Sequence, residues 1–268
     1  MTPRTALSPA TLTLVMAAVA QAIIAGLTLG LAGHVSPWRD PVSDYAWHRG
    51  GRLLFTVAIL LLLAAAAALA VAARLAALPR DPLVSTLFLL WTAGLVVVLV
   101  FRSNAAAAAP TVSGAIHRAG GAVLFASLPL AAWTLSARLR TEPRWRAAAP
   151  ALRRGAVAGV VTAAAFGAAQ VIAWLPAGLL ERAALLAEFL IVVTLAVTLR
   201  RAATTQLPPT ALAPAATTPN ATQKTSSPQH LPAASPPTTR TPAATTPNAT
   251  QEASSPQHLP AESPRAVR

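Results

Sequence analysis

Asp40-Pro41-Val42-Ser43-Asp44-Tyr45-Ala46-Trp47-His48-Arg49-Gly50-Gly51 separates the first two long apolar runs of this sequence. Two carboxylates, a histidine, an arginine and two amphipathic aromatics stand here between runs made mostly of alanine, leucine and valine. A shorter echo follows the third apolar run and reads Ser113-Gly114-Ala115-Ile116-His117-Arg118-Ala119-Gly120-Gly121. These two polar stretches separate long apolar segments, and each brings several ionisable side chains close together in the sequence.

The composition is typical of a protein that is embedded in a lipid bilayer. The chain has 268 residues, of which 54% are hydrophobic and only 11% are charged, with a mean hydropathy of +0.55. About a quarter of the residues are charged in a soluble domain. Cysteine is absent, which excludes disulfides, thiolate metal sites and cysteine nucleophiles.

The net charge of +13 would suggest a nucleic-acid partner in a soluble protein. Here most arginines stand in short loops between apolar runs, where arginines orient helices and contact anionic headgroups. We therefore expect the lipid bilayer as the main partner, and no nucleic acid.

Six apolar runs are long enough to cross a membrane as helices. A helix rises ~1.5 Å per residue, so about 20 residues cross ~30 Å of hydrocarbon. The predicted spans are residues 10–31, 53–75, 83–101, 117–139, 156–175 and 183–199. The sequence therefore predicts an all-α fold, a polytopic transmembrane bundle of six helices within residues 1–201. Ser43 is expected to cap the second helix, with Asp44 in its first turn.

Residues 202–268 differ from the rest of the chain in composition. They are rich in Pro, Thr, Ala and Ser, and the segment 214–223 returns as 242–251 with a period of 28 residues. Such a segment has little apolar surface to bury, so we predict a disordered tail.

The arginines predict an orientation. With six spans, the side that holds both termini carries eleven of them: Arg4, Arg74, Arg80, Arg138, Arg140, Arg144, Arg146, Arg153, Arg154, Arg200 and Arg201. The other side carries six: Arg39, Arg49, Arg52, Arg102, Arg118 and Arg182. The positive-inside rule then places both termini in the cytoplasm of a cell whose plasma membrane the chain crosses.

A threefold pattern accompanies the spans. His48-Arg49 precedes the second span, His117-Arg118 the fourth and Glu181-Arg182 the sixth, at separations of 69 and 64 residues. This spacing is compatible with three repeated helical hairpins, each with a charged turn at the same end. Internal repeats of this kind are common in membrane transporters, whose sites lie at the repeat interface.

These motifs carry a resemblance. Pro41-Val42-Ser43-Asp44-Tyr45 before the second span, the Gly114-x-x-His117-Arg118 entry to the fourth and the Glu181-Arg182 turn before the sixth resemble the bacterial domain-of-unknown-function 998 family. The resemblance covers roughly residues 12–201. It implies a six-helix integral membrane protein, often from actinobacteria, and it implies no activity.

The charged residues of the outer face are the main candidate site. The predicted topology places seven of them on one side of the membrane, namely Asp44, His48, Arg49, His117, Arg118, Glu181 and Arg182. Together they would bind a small anionic ligand or a lipid headgroup, in a protein that is not an enzyme. The alternative is a ligand-free structural membrane protein, in which Asp44 caps a helix and the arginines extend toward lipid phosphates.

Glu188 is the one acidic residue well inside a predicted span. An ionisable group at that depth is costly and by default indicates function. It could serve proton- or ion-coupled transport of a small molecule, or it could be a buried structural partner of an arginine or of Gln170.

His48 and His117 could instead bind haem or a metal, since imidazole is a ligand for both. Their spacing matches no such motif, so we expect no cofactor and no metal site. The sequence also lacks a phosphate-binding glycine loop, HExxH and GxSxG.

Overall fold

The computed structural model of the chain describes residues 8–104 and 109–204. Within these ranges the protein has six long helices and no strand, which confirms the all-α class. The helices are α1 Pro9–Gly30, α2 Gly51–Leu75, α3 Pro82–Val100, α4 Val112–Leu139, α5 Ala149–Ala169 and α6 Ala177–Thr204. Two short 3₁₀ helices, Val42–Trp47 and Arg146–Ala148, lie between them.

The six helices form a ring around a central space. α1 packs on α2 and α6, and α4 packs on α3 and α5, while α5 also packs on α6. α2 and α3 touch least among the ring neighbours, and α6 also reaches α2 and α4. The pairs α1–α2, α3–α4 and α5–α6 are thus in contact as hairpins would be, whereas a repeat of one ancestral hairpin stays a prediction.

Five of the six long helices are long and apolar enough to cross a membrane. The exception is α5, because Arg153 and Arg154 lie in its opening turns and shorten its apolar stretch. The chain is nonetheless a multi-pass membrane protein by these five helices.

Several predicted boundaries were wrong. The fifth helix was predicted over residues 156–175 but ends at Ala169. Residues 170–176 form turns, consistent with the bias against helix before Pro176. The fourth helix begins at Val112, five residues before the predicted span 117–139, and the Thr111 hydroxyl caps it by accepting the Gly114 N–H at 3.0 Å. α6 begins at Ala177 rather than residue 183 and continues to Thr204. The rest of the predicted tail lies outside the described residues.

Ser43 does not cap the second helix. It lies in the 3₁₀ helix Val42–Trp47, and α2 starts only at Gly51. The interruption is at Gly50, whose φ of +79° is a left-handed conformation that glycine adopts readily. Asp44 therefore lies in a polar loop segment rather than in the first turn of a membrane helix.

The loops lie at two ends with different chemistry. At one end, Asp81 caps α3 and its Oδ2 accepts a hydrogen bond from Arg138 Nε at 2.8 Å. This bond, with those from the N–H groups of Val84 and Leu83, lowers the pKa of Asp81. We call this end, with residues 76–81, 140–148 and 200–204, the basic end. The opposite end, with residues 31–50, 101–104, 109–111 and 170–176, is the polar end.

Glycine allows α3 and α4 to approach closely. A Cβ atom on Gly120 would collide with the side chain of Val97, and one on Gly94 would lie 2.9 Å from the Gly120 carbonyl oxygen. In lipid, where apolar surface gains little from association, such close backbone packing holds helices together.

We expect Gly120→Ala to lower the free energy of unfolding by about 1 kcal/mol, because overpacking costs ~1–3 kcal/mol and alanine recovers ~1 kcal/mol of helix propensity. Gly121→Ala is the matched control, because a Cβ there meets nothing within 4 Å. Unfolding in detergent should rank the control above wild type and Gly120→Ala below it. Equal stability of the two variants would contradict close packing at Gly120.

Candidate functional site

The first loop of the polar end is fastened to the start of α6. The Val42 N–H donates to Glu181 Oε2 at 2.7 Å, and the Leu179 N–H donates to the Trp38 carbonyl at 3.2 Å. Glu181 is buried. Its carboxylate therefore satisfies a buried backbone donor of a chain segment 139 residues away.

Arg182 is the main connection of this junction. Its Nη1 donates to the carbonyl oxygens of Pro37 at 3.1 Å, Asp40 at 3.0 Å and Gly178 at 2.8 Å. Its Nη2 donates to the Tyr45 hydroxyl. Gly178 is required here, because a Cβ at that position would lie 2.5 Å from the Asp40 carbonyl oxygen.

The loop between α3 and α4 meets the first loop at the same end. Trp47 Nε1 donates to Ser103 Oγ at 3.2 Å, and the Arg102 guanidinium lies 4.0 Å from the centre of the Trp47 ring. His117 Nδ1 lies 2.8 Å from the Phe101 carbonyl oxygen, so one ring nitrogen of this buried histidine is engaged with backbone.

A cavity of about 650 Å³ occupies the middle of the helix ring. All six helices contribute to its mostly apolar wall, with Ile59, Leu95 and Phe125 among the lining side chains. Most of its polar and charged lining residues belong to the polar end, and the full set is Gln21, Ser43, Asp44, Ser103, Asn104, His117, Arg118, Gln170, Glu181 and Glu188. Pockets of this size, apolar with a few polar groups, are typical of small-molecule sites.

Glu188 lines the same cavity from α6. Its side chain is 6% exposed, and its Oε2 accepts a hydrogen bond from Trp91 Nε1 at 3.3 Å. Its Oε1 has no hydrogen-bond partner within the described part of the chain. The alternative in which Glu188 pairs with an arginine or with Gln170 is not what the structure shows, since the observed partner of Glu188 is Trp91, and Gln170 Nε2 donates to the Phe166 carbonyl instead.

A family model described as "Protein of unknown function (DUF998)" matches residues 14–198. The chain belongs to the DUF998 family. No curated protein matches it, and no solved structure matches it. The family resemblance predicted from Asp44, His117 and Glu181 is thereby confirmed, and the family description assigns no activity.

The structure of this DUF998 protein brings five of the predicted site residues to one cavity: Asp44, His117, Arg118, Glu181 and Glu188. It leaves three others off the wall. Arg182 lies behind the wall and is occupied by backbone carbonyls, while Arg49 is exposed. His48 pairs with His34, whose ring centre is 5.7 Å away.

The structure does not bring His48 and His117 together as ligands of one haem or metal site. His117 lines the cavity of the DUF998 protein, but His48 does not. Among the described residues no three His, Cys, Asp or Glu side chains are grouped so as to hold a metal ion.

Asp44 is a titratable residue on the wall of the cavity, and it lies in the loop between α1 and α2. Burial raises the pKa of its carboxyl from 3.8 to about 6, and the neighbouring charge of Asp40 adds to this effect while His48 opposes it. Near neutral pH the carboxyl is therefore ionised, but a fall of one or two pH units protonates it.

Three structural partners were missing from the sequence interpretation. Tyr45, one of the two amphipathic aromatics of the first polar stretch, is fully buried and hydrogen-bonded to Arg182. Trp91 was not considered as the partner of Glu188. Asp81 was not considered at all, although an Asp directly before Pro82 is a recognisable start of a helix.

Proposed function

We propose that this DUF998 protein binds a membrane lipid whose headgroup carries an ammonium group. The headgroup lies at the polar end of the cavity and the alkyl part follows its apolar wall. The observation that carries the proposal is the convergence of three carboxyl groups, those of Asp44, Glu181 and Glu188, on one otherwise apolar cavity of about 650 Å³.

The distribution of charge favours an ammonium headgroup over a simple anion. Of the arginines expected to hold an anion, Arg182 already donates to three carbonyls and Arg49 does not line the cavity. Arg118 alone remains on the wall. A zwitterionic headgroup suits this pattern, because its phosphate would face Arg118 and its ammonium would face the carboxyl groups.

The volume and the lining favour a molecule with a long apolar part. A free ammonium compound would leave the wall formed by residues such as Ile59, Leu95 and Phe125 in contact with water, which costs about 25 cal/mol per Å² of apolar surface. An alkyl chain removes this cost, so an amphipathic ligand fits the cavity better than a small polar solute.

Native mass spectrometry of the full chain tests the proposal with two lipids that share the same acyl chains. We expect phosphatidylethanolamine to bind at least several-fold more tightly than phosphatidylglycerol, and to raise the melting temperature. A lipid at 100 times its Kd stabilises a protein by ~2.7 kcal/mol, which such a measurement detects easily.

The matched variant is Asp44→Asn with Glu188→Gln, which removes two carboxyl groups and keeps similar shapes. We expect it to lose the preference for phosphatidylethanolamine. Equal affinity of the wild type for both lipids would refute the ammonium site, and absence of binding to either would leave a structural role as the better explanation.

A further inference from the structure

The seam between α4 and α5 differs from the other helix contacts of the ring. Several residues on it line the central cavity and are also solvent-exposed, namely Ala122, Ala126 and Leu130 of α4 and Val160, Ala164 and Gly167 of α5. Their spacing of three or four residues places them on one face of each helix. The cavity therefore reaches the outer surface along this seam.

The seam is closed toward the basic end and open toward the polar end. A Cβ on Gly159 would lie 2.7 Å from Pro129 Cγ, so α4 and α5 are in tight contact at that level. Nearer the polar end, a Cβ on Gly121 or on Gly167 would meet no atom of the described residues within 4 Å. The two helices thus diverge over about two turns and leave a gap bordered by small residues.

A second, independent feature indicates that the space behind the gap receives a ligand. Glu188 is 6% exposed and lines this cavity, and its Oε1 meets no hydrogen-bond donor among residues 8–104 and 109–204. A buried carboxyl oxygen without a donor costs free energy, and a hydrogen-bond donor on a bound molecule would remove that cost.

We infer that the gap between α4 and α5 is a lateral portal through which a lipid with a hydrogen-bond-donating headgroup passes between the bilayer and the cavity. The inference rests on the proposed lipid-binding function and adds the route. A water-soluble ligand would enter from the polar end and would need no opening on a surface that faces lipid tails.

If lipid passes through this portal, larger side chains introduced there should slow lipid exchange. In Gly121→Leu/Gly167→Leu, two leucine side chains enter the gap from positions where a Cβ meets no described atom within 4 Å, so we expect the fold to persist. We expect the exchange of bound phosphatidylethanolamine for a chain-deuterated copy, followed by native mass spectrometry of the full chain in nanodiscs, to slow at least tenfold. Gly26→Leu is the control, because its Cβ also meets nothing within 4 Å and it does not line the cavity.

Each outcome of this experiment decides one question. Wild-type exchange rates in Gly121→Leu/Gly167→Leu, with binding intact, would overturn the portal and leave the binding function standing. Absence of lipid in the wild type would overturn the function itself. Should the double variant fail to fold, Ala126→Phe at the exposed edge of the same seam provides the test, and unchanged exchange there also overturns the portal.

Discussion

Replacing Arg182 with methionine should detach the first loop from α6 and lower the free energy of unfolding by about 3–5 kcal/mol. The guanidinium donates to the carbonyls of Pro37, Asp40 and Gly178 and to the Tyr45 hydroxyl. Removing a donor from buried acceptors costs ~1–3 kcal/mol for each group left unsatisfied. The measurement is equilibrium unfolding of the full chain in mixed detergent micelles.

Arg49→Met is the matched control on the same end of the molecule. Arg49 is exposed, and substitutions of such residues usually change stability by no more than ~0.5 kcal/mol. Arg182→Lys should fall between the two, because an ammonium group lacks the planar fork that reaches several carbonyls at once. Equal stability of Arg182→Met and Arg49→Met would show that the junction contributes nothing.

The consequence of losing Arg182 reaches the cavity. The loop that Arg182 fastens also carries Val42, whose N–H is held by Glu181, and Asp44, which lies on the cavity wall. A lipid-binding defect in Arg182→Met would therefore arise from displaced carboxyl groups rather than from a lost cation.

The helices could be predicted from the sequence because lipid imposes a simple rule. Backbone groups in hydrocarbon must bond within their own segment, so long apolar runs become helices. This reasoning succeeded for α1, α2 and α3, whose ends lie within two residues of the prediction. It failed for the end of α5, where Val171 and Ile172 continue the apolar pattern although the chain has already left the helix.

The site could be predicted only in part, because the sequence shows which residues share an end of the bundle but not which way they face. Asp44, His117 and Glu181 were correctly placed at one end. That Arg182 donates its hydrogen bonds to backbone carbonyls could not be predicted, since this depends on the close approach of Asp40 to Gly178. The central cavity arises from how six helices meet and has no signal in any one of them.

The stability of the ligand-free protein should fall as the pH rises from about 4 to 6, through Asp44. Burial raises the pKa of this carboxyl from 3.8 to about 6, so in this window the folded protein keeps a proton that the unfolded chain has lost. The resulting loss of stability is complete above about pH 6. The complete shift corresponds to about 3 kcal/mol, and the partial exposure of the side chain reduces the expected loss to about 1–2 kcal/mol.

Two variants separate this effect from the other acidic groups. Asp44→Asn should remove the decline, while the charged groups that face Asp44, namely Asp40, His48 and Glu181, stay in place. Asp81→Asn should have the opposite effect on the pH profile. Arg138 lowers the pKa of Asp81, so the wild type loses the stability that this carboxylate contributes as the pH falls, and the variant has no such contribution to lose. Unfolding in detergent at pH 4, 5, 6 and 7 measures both, and equal slopes for Asp44→Asn and wild type would contradict the assignment.

Lipid binding should respond to pH with the opposite sign to stability. An ammonium headgroup is attracted to the ionised carboxyl of Asp44, so the affinity for phosphatidylethanolamine should rise as the pH increases through about 6. By linkage, bound lipid lowers the pKa of Asp44 and offsets the decline in stability. A saturating lipid concentration should therefore flatten the stability profile of the wild type between pH 4 and 6 and leave that of Asp44→Asn unchanged in slope.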